Sequence, residues 1–383
     1  MKLSRRHILI FIYIAQTFFA SKINAQDNKL SYQVILETNT VYNDKDSKSK
    51  VNMDNWMNIT DFTSQSDLYP IFTFNNKESD KMDVKLQAEG DVRNYNLDKD
   101  STLFSFQELY GQLSFNKKHY LVFGKKRLDW GTGMIWNPTN FFIQKDPLRT
   151  QNRLEGIFML NYSYLFATGA INVYFFPENK LKESKLAIKY DYSNERIDGS
   201  VSFVQYGKYQ QIGYDLSYGG NFFTLYSEGV VRNFTKSYLV DNTGNIITPD
   251  EQSKTFRSEL VAGTTIMLNT NLSINAEYRF REDYLSKKQF KNYMQFSPTN
   301  PLLFDPISVG KHTLFGNMSY MDTYGKWTVN LRAFFDPVSN QLLLSPLGTI
   351  TLKNFQIELS SMIYNHSMSI FNSQYSILLS YYF

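Results

Sequence analysis

The sequence predicts an all-β chain, a transmembrane antiparallel β-barrel of about eighteen strands with short periplasmic turns and long outer loops; sixteen strands is the alternative count. Three observations predict it. Apolar and polar residues alternate over segment after segment of about ten residues, the length a tilted strand needs to cross a bilayer. The chain opens on a secretory leader and closes on an alternating strand that ends in Phe383. Between these ends, short and long connections take turns.

In the leader, Lys2, Arg5 and Arg6 precede the apolar run 8–20, and Ile23-Asn24-Ala25 supplies a cleavage site before Gln26. The run is too short for a spanning helix, so residues 1–25 read as a signal peptide and 26–383 as one barrel domain. Lys2, Arg5, Arg6 and Lys22 leave with the leader, which reduces 40 Lys+Arg to 36 against 36 Asp+Glu. A formally neutral mature chain offers no argument for nucleic acid. The absence of cysteine excludes disulfides, thiolate metal sites and a lipidated N-terminal cysteine.

Strands are expected near 31–42, 67–76, 81–95, 104–115, 118–128, 154–166, 168–177, 184–192 and 197–206. The second half continues with 209–218, 221–233, 255–268, 270–283, 311–322, 326–336, 340–351, 353–365 and 374–383. Leu272, Ile274, Ala276, Tyr278 and Phe280 alternate with Ser273, Asn275, Glu277, Arg279 and Arg281. Aromatic residues make up 16% of the chain, which suits the girdles of a barrel in lipid. Connections after even-numbered strands are short, as at Asn116-Lys117 and Leu352-Lys353. Every long one, near 43–66, 129–153, 234–254 and 284–310, follows an odd-numbered strand. That asymmetry puts both termini on the periplasmic side, and Phe383 at the end of the last strand is the expected assembly signal.

A barrel of this size holds water, so charges on its inner wall stay solvated and shape the field that a solute meets. Candidate wall and selectivity residues are Lys125, Arg127, Asp129, Glu108, Arg257, Glu277, Arg279, Arg281 and Arg332. They admit two readings, a salt-bridge network that braces the wall or an arginine ladder led by Arg127, Arg279 and Arg281 that favours anions. Lys125, Arg127 and Asp129 are expected to continue the lumen face of the fifth strand. Val122, Gly124 and Lys126 then fall on the other face.

The third outer loop, 130–153, opens with Trp130, Gly131, Gly133, Trp136 and Pro138. One G-x-G with no helical pattern behind it is not a dinucleotide loop. Glycines give the backbone unusual angles, proline stiffens it, and Trp130, Met134, Trp136, Phe141 and Phe142 are too apolar for a solvated loop. Two placements suit them: folded into the barrel as a constriction, or resting on the rim at the lipid interface. The run Gly124-Lys125-Lys126-Arg127-Leu128-Asp129-Trp130-Gly131-Thr132-Gly133, with Asn137-Pro138 after it, resembles the G-[KR]-x-x-[IL]-x-W-G-x-G…P stretch of porin-like outer-membrane barrels of Gram-negative bacteria. Those include alginate-export-like and carbohydrate or anion porin-like families. The resemblance implies a wide single-chain barrel that passes solutes without a fuel, with Lys125, Arg127 and Asp129 at lumen-facing positions.

The expected function is passive diffusion of small hydrophilic solutes, anions or saccharides among them, through a pore narrowed by the third loop. A structural or polymer-export role is the alternative. An enzyme is disfavoured because His119, His312 and His366 stand without a nucleophile elbow. No cofactor or metal is expected, since Asp44, Asp46, Asp54 and Asp61 lack EF-hand spacing. The expected partners are outer-membrane lipid, the barrel-assembly machinery and the solute, with the oligomeric state left open.

Overall fold

In hydrocarbon an unpaired backbone N–H or C=O costs on the order of several kcal/mol, so a sheet that crosses a bilayer must close on itself. The computed structural model, which describes residues 28–46, 60–79, 82–95, 101–142, 155–178, 183–234, 239–240, 246–247, 255–296, 307–365 and 371–383, shows that closure. Eighteen strands form one antiparallel sheet. The first half comprises β1 (Asn28–Lys45), β2 (Phe62–Ser79), β3 (Met82–Tyr95), β4 (Ser101–Phe115), β5 (His119–Lys126), β6 (Ile157–Phe166), β7 (Gly169–Phe176), β8 (Lys185–Ser193) and β9 (Ile197–Tyr206). The second comprises β10 (Tyr209–Gly219), β11 (Phe223–Arg232), β14 (Arg257–Met267), β15 (Leu272–Arg281), β16 (His312–Met321), β17 (Trp327–Asp336), β18 (Gln341–Leu352), β19 (Phe355–Asn365) and β20 (Phe371–Tyr382). Each pairs with its sequence neighbours, and β1 pairs with both β2 and β20.

Alternation sets the faces. On β6, Phe158, Leu160 and Tyr162 are exposed on the outside while Met159 and Asn161 are buried toward the inside. On β20, Tyr375, Ile377, Leu379 and Tyr381 face outward and Ser380 inward. An outer surface this apolar is built for lipid. Phe383 follows, 64% exposed, with its N–H on the Val34 carbonyl at 2.9 Å and its ring against Tyr381 at 4.6 Å. At one end of the barrel the turns are minimal, including 116–118, 167–168 and 353–354. Asn116 and Lys117 take φ of 52° and 53°, the left-handed pair that matches the twist of a tight hairpin. At 322–326, the exposed Asp322 carboxylate accepts the N–H groups of Trp327 (2.8 Å) and Tyr324 (3.1 Å), which hold it below the usual carboxylate range.

All eighteen expected strands are present, with ends shifted by a few residues. Two departures lie in the long connections. Residues 234–254 contain a small hairpin, β12 (Leu239–Val240) with β13 (Ile246–Ile247). Residues 284–310 contain a helix, α1 (Lys287–Phe296), where the sequence pattern predicts irregular loop. Its start is a capping box. Gln289 Oε1 accepts the Ser286 N–H at 2.9 Å, and Ser286 Oγ lies 3.4 Å from the Gln289 N–H. Ser286-Lys287-Lys288-Gln289 was the legible signal. Burial of Tyr293 on this helix pushes its hydroxyl up to about 12. The leader 1–25, Asp54 and His366 lie outside the described residues.

The face assignment has a direct test, because the chain has no cysteine of its own. In the protein folded into lipid vesicles, Leu225→Cys and Leu359→Cys are expected to resist a charged maleimide. Asn161→Cys and Ser163→Cys are expected to react with it. Equal labelling of all four would contradict the alternation.

Candidate functional site

The fifth strand ends at Lys126, two residues before the expected end, and the chain then turns into the barrel. This ending corrects one assignment. Lys125 lies opposite Leu109 and Phe158, both outward, and shares a face with Leu121 and Phe123. Its ammonium donates to the Phe106 carbonyl at 2.6 Å and pairs with Glu155. Lys126 is the lysine on the lumen side, beside Gln112 and Tyr110. The expectation fails because the phase of Arg127 and Asp129 does not carry back into a strand to which they do not belong. Asp129 is an exposed residue of the loop, between buried Leu128 and Trp130.

Beyond Lys126, residues 127–142 form a bar between two parts of the inner wall. At its near end Trp130, 2% exposed, packs with Leu128 on inward residues of β6 to β9: Met159, Tyr174, Phe176, Ala187 and Val204. Its ring meets Tyr174 at 5.3 Å and Phe142 at 5.4 Å, both edge to face. At the far end Trp136, 5% exposed, enters a second cluster with Tyr226, Val261, Phe315, Phe334 and Leu343. These come from β11, β14, β16, β17 and β18. Each tryptophan buries roughly 150–250 Å². At about 25 cal/mol per Å², that is on the order of 4–6 kcal/mol apiece, enough to hold the loop inside rather than solvated.

Between the tryptophans, two wall carboxylates hold the loop backbone. Glu228 on β11 accepts from Thr132 N (2.9 Å), Gly133 N (3.1 Å), Thr139 N (2.7 Å), Thr139 Oγ1 (2.6 Å) and Asn137 Nδ2 (3.4 Å). Glu277 on β15 accepts from Met134 N (2.8 Å), Trp136 N (3.0 Å) and the Tyr226 hydroxyl (2.8 Å). Successive N–H groups that point into one concavity make an anion nest, here filled by the protein's own side chains. The glycines make room. Gly131 has φ of 90°, and a side chain there would run into both oxygens of Glu228; one on Gly133 would strike the Trp136 carbonyl. Pro138 is buried behind them, and Gln211 Nε2 donates to the Thr139 carbonyl at 2.9 Å.

The expected wall charges divide into paired and unpaired. Arg127 donates both terminal nitrogens to Glu89 (2.8 and 2.7 Å), while its backbone N–H donates to Glu108 (2.8 Å). Glu259 receives Arg232 (2.6 Å) and Arg279 (2.8 Å), and Arg281 forks onto Asp283 (2.9 and 2.8 Å). Arg279 also lies 5.4 Å over the Trp136 ring, which ties this cluster to the bar. Three guanidiniums on two carboxylates leave about one net positive charge. Arg257 lies opposite Arg232, with a buried Nε that has no hydrogen-bond partner, and Arg332 has no ion pair among the described residues. Glu277 was expected as a wall charge, but its role as an anchor was not anticipated. Glu228 is likewise legible as a wall carboxylate but not as an anchor, and Tyr226 is not legible at all, because the contact joins residues about a hundred apart in sequence and no local spacing encodes it.

Glu228→Gln and Glu277→Gln each turn an NH2 group onto backbone donors. Each is expected to cost about 1.5–3 kcal/mol, read as an earlier urea midpoint. In a Trp56→Phe, Trp327→Phe background the pair should raise acrylamide quenching of Trp130 and Trp136. Unchanged quenching would mean that the carboxylates do not hold the loop.

No protein-family model matches the chain, and no curated protein sequence is similar to it. Solved structures are similar. OccK1 (OpdK) of Pseudomonas aeruginosa has a TM-score of 0.61 at 9% identity over 93% of this chain and 98% of its own. OccK5 (OpdH) of Pseudomonas aeruginosa reaches 0.57 at 11% identity, over 92% and 98%. A mutant of the Rh. blastica porin reaches 0.51 at 10%, over 93% and 100%. At such identities the likeness is one of architecture: the chain has the closed antiparallel barrel fold of these porins.

Proposed function

We propose that the chain is a passive diffusion channel of the outer membrane for small hydrophilic solutes, narrowed by residues 127–142. The observation that carries this reading is the bar itself: an apolar, glycine-containing loop fastened at both ends to inward-facing wall residues of a barrel whose inner face carries many buried polar side chains. A bar of this kind reduces the cross-section without filling it, and leaves charged groups to select among solutes. In this reading Trp130, Gly131, Gly133, Trp136 and Pro138 are the constriction. Residues 1–25 deliver the chain to the envelope, and Phe383 is read by the assembly machinery. Arg127, Arg279 and Arg281 act mainly as braces, because a guanidinium already paired with a carboxylate attracts a passing anion weakly. The similarity of the barrel to porin structures supports the reading at the level of fold.

In a planar bilayer, refolded 26–383 is expected to give stable conductance steps. Deleting 132–142 should raise their size by a factor of about two or more, since a barrel of this strand number without its loop is a wide aqueous channel. The Glu228→Gln, Glu277→Gln pair serves as the milder variant if the deletion fails to fold. Unchanged steps in both would place the constriction elsewhere.

A further inference from the structure

Arg127, Arg232, Arg279 and Arg281 on the described wall are matched to carboxylates; like Arg257 and Arg332, the two lysines beside Tyr110 are not. Lys85 on β3 and Lys126 at the end of β5 both face the lumen, and their ammonium groups lie 5.7 and 4.9 Å from the centre of the same Tyr110 ring. Lys126 Nζ also reaches Gln112 Oε1 at 3.4 Å, and Gln112 lies directly opposite Lys85 in the ladder. Neither lysine has an ion pair among the described residues. The carboxylates nearby are occupied. Glu108 takes the Arg127 backbone and Gln87 Nε2 (2.8 Å), while Asp191 takes Asn172 (2.6 Å) and Lys189 (2.6 Å). Two like charges gathered on one ring repel each other; Glu108, shared with Arg127, attracts Lys126 from the wall, and the aqueous lumen can supply a second counter-charge.

Lys126 also lines a recess of about 210 Å³ in the wall of β4 to β7, with Gln112, Tyr120, Asn161, Ser163 and Asn172 around it. Its volume is several times the roughly 30 Å³ share of one water, which is room for a small organic ion. Its rim offers amide and hydroxyl groups rather than carboxylates. Ammonium groups supply charge; amides and hydroxyls pair with alcohol groups.

We propose that Lys126 and this recess, with Lys85 beside it, form a binding subsite for a small hydroxylated anion, with the anionic group drawn to the ammoniums and its hydroxyls on Gln112, Asn161 and Ser163. This rests on the channel reading and assigns selectivity to a lysine pair instead of the wall arginines.

The test uses gluconate, with sorbitol as its uncharged counterpart. In bilayers under a potassium chloride gradient, Lys85→Gln, Lys126→Gln should move the reversal potential toward cation preference while steps persist. Gluconate, and not sorbitol, should reduce the wild-type current, at about tenfold higher concentration in the double variant. Lys126→Arg should restore most of the block. Reversal potential and gluconate block equal to wild type in the double variant would overturn the subsite while leaving the channel intact. If the wild type gives no steps, the channel reading fails. The subsite is then read by calorimetry of gluconate on the detergent-folded protein, where heat lost in the double variant supports it and no heat from the wild type overturns it.

Discussion

Glu228 and Glu277 are the points on which the interior depends. A carboxylate facing the lumen could stay in water at little cost, and a loop of glycines and indoles could lie on the rim. Each solution is replaced by a joint one, in which the carboxylates accept from Thr132, Gly133, Met134, Trp136 and Thr139 and the loop satisfies N–H groups that its own conformation leaves unpaired. Charge-assisted hydrogen bonds are roughly twice as strong as neutral ones, and they are directional. They therefore fix where the bar lies, while Trp130 and Trp136 supply the burial that keeps it there.

The barrel and the bar answer different constraints. Lipid demands an apolar exterior and a closed ladder, which leaves the inner face at liberty to be polar. Two apolar patches of the inner face meet the loop: Met159, Phe176, Ala187 and Val204 beneath Trp130, and Val261, Phe315, Phe334 and Leu343 beneath Trp136. Ile307, from the connection that carries α1, joins the second group, and Asp336 accepts the N–H groups of Val309 (3.0 Å) and Gly310 (2.8 Å). A second long connection is thus anchored on the wall by the same device, a buried carboxylate under consecutive backbone N–H groups.

How much of the molecule is legible in the sequence follows from the range of each interaction. Strand positions and the order of short and long connections are written in local alternation, which by itself places Leu272 to Arg281 on the correct faces. The end of a strand is less local. Whether Lys125 or Lys126 faces inward depends on where the ladder stops, and Lys126 is the last ladder residue because the bar must turn in from there. Pairing is not local at all. Arg127 was readable as an inward guanidinium, but its partner Glu89 belongs to another strand, and a list of wall charges cannot separate a brace from a selectivity group. The helix at Lys287–Phe296 had a readable cap in Ser286 and Gln289, hidden by the polar residues around it.

The bar's backbone is bonded to the wall through Glu228 and Glu277. Hydrogen exchange followed by mass spectrometry on a peptide covering 130–142 measures this without reference to conductance. Protection of the amides of Thr132, Gly133, Met134, Trp136 and Thr139 comparable to that of β11 is the predicted result. Exchange at the rate of an unstructured peptide would contradict it, and would return the loop to the rim.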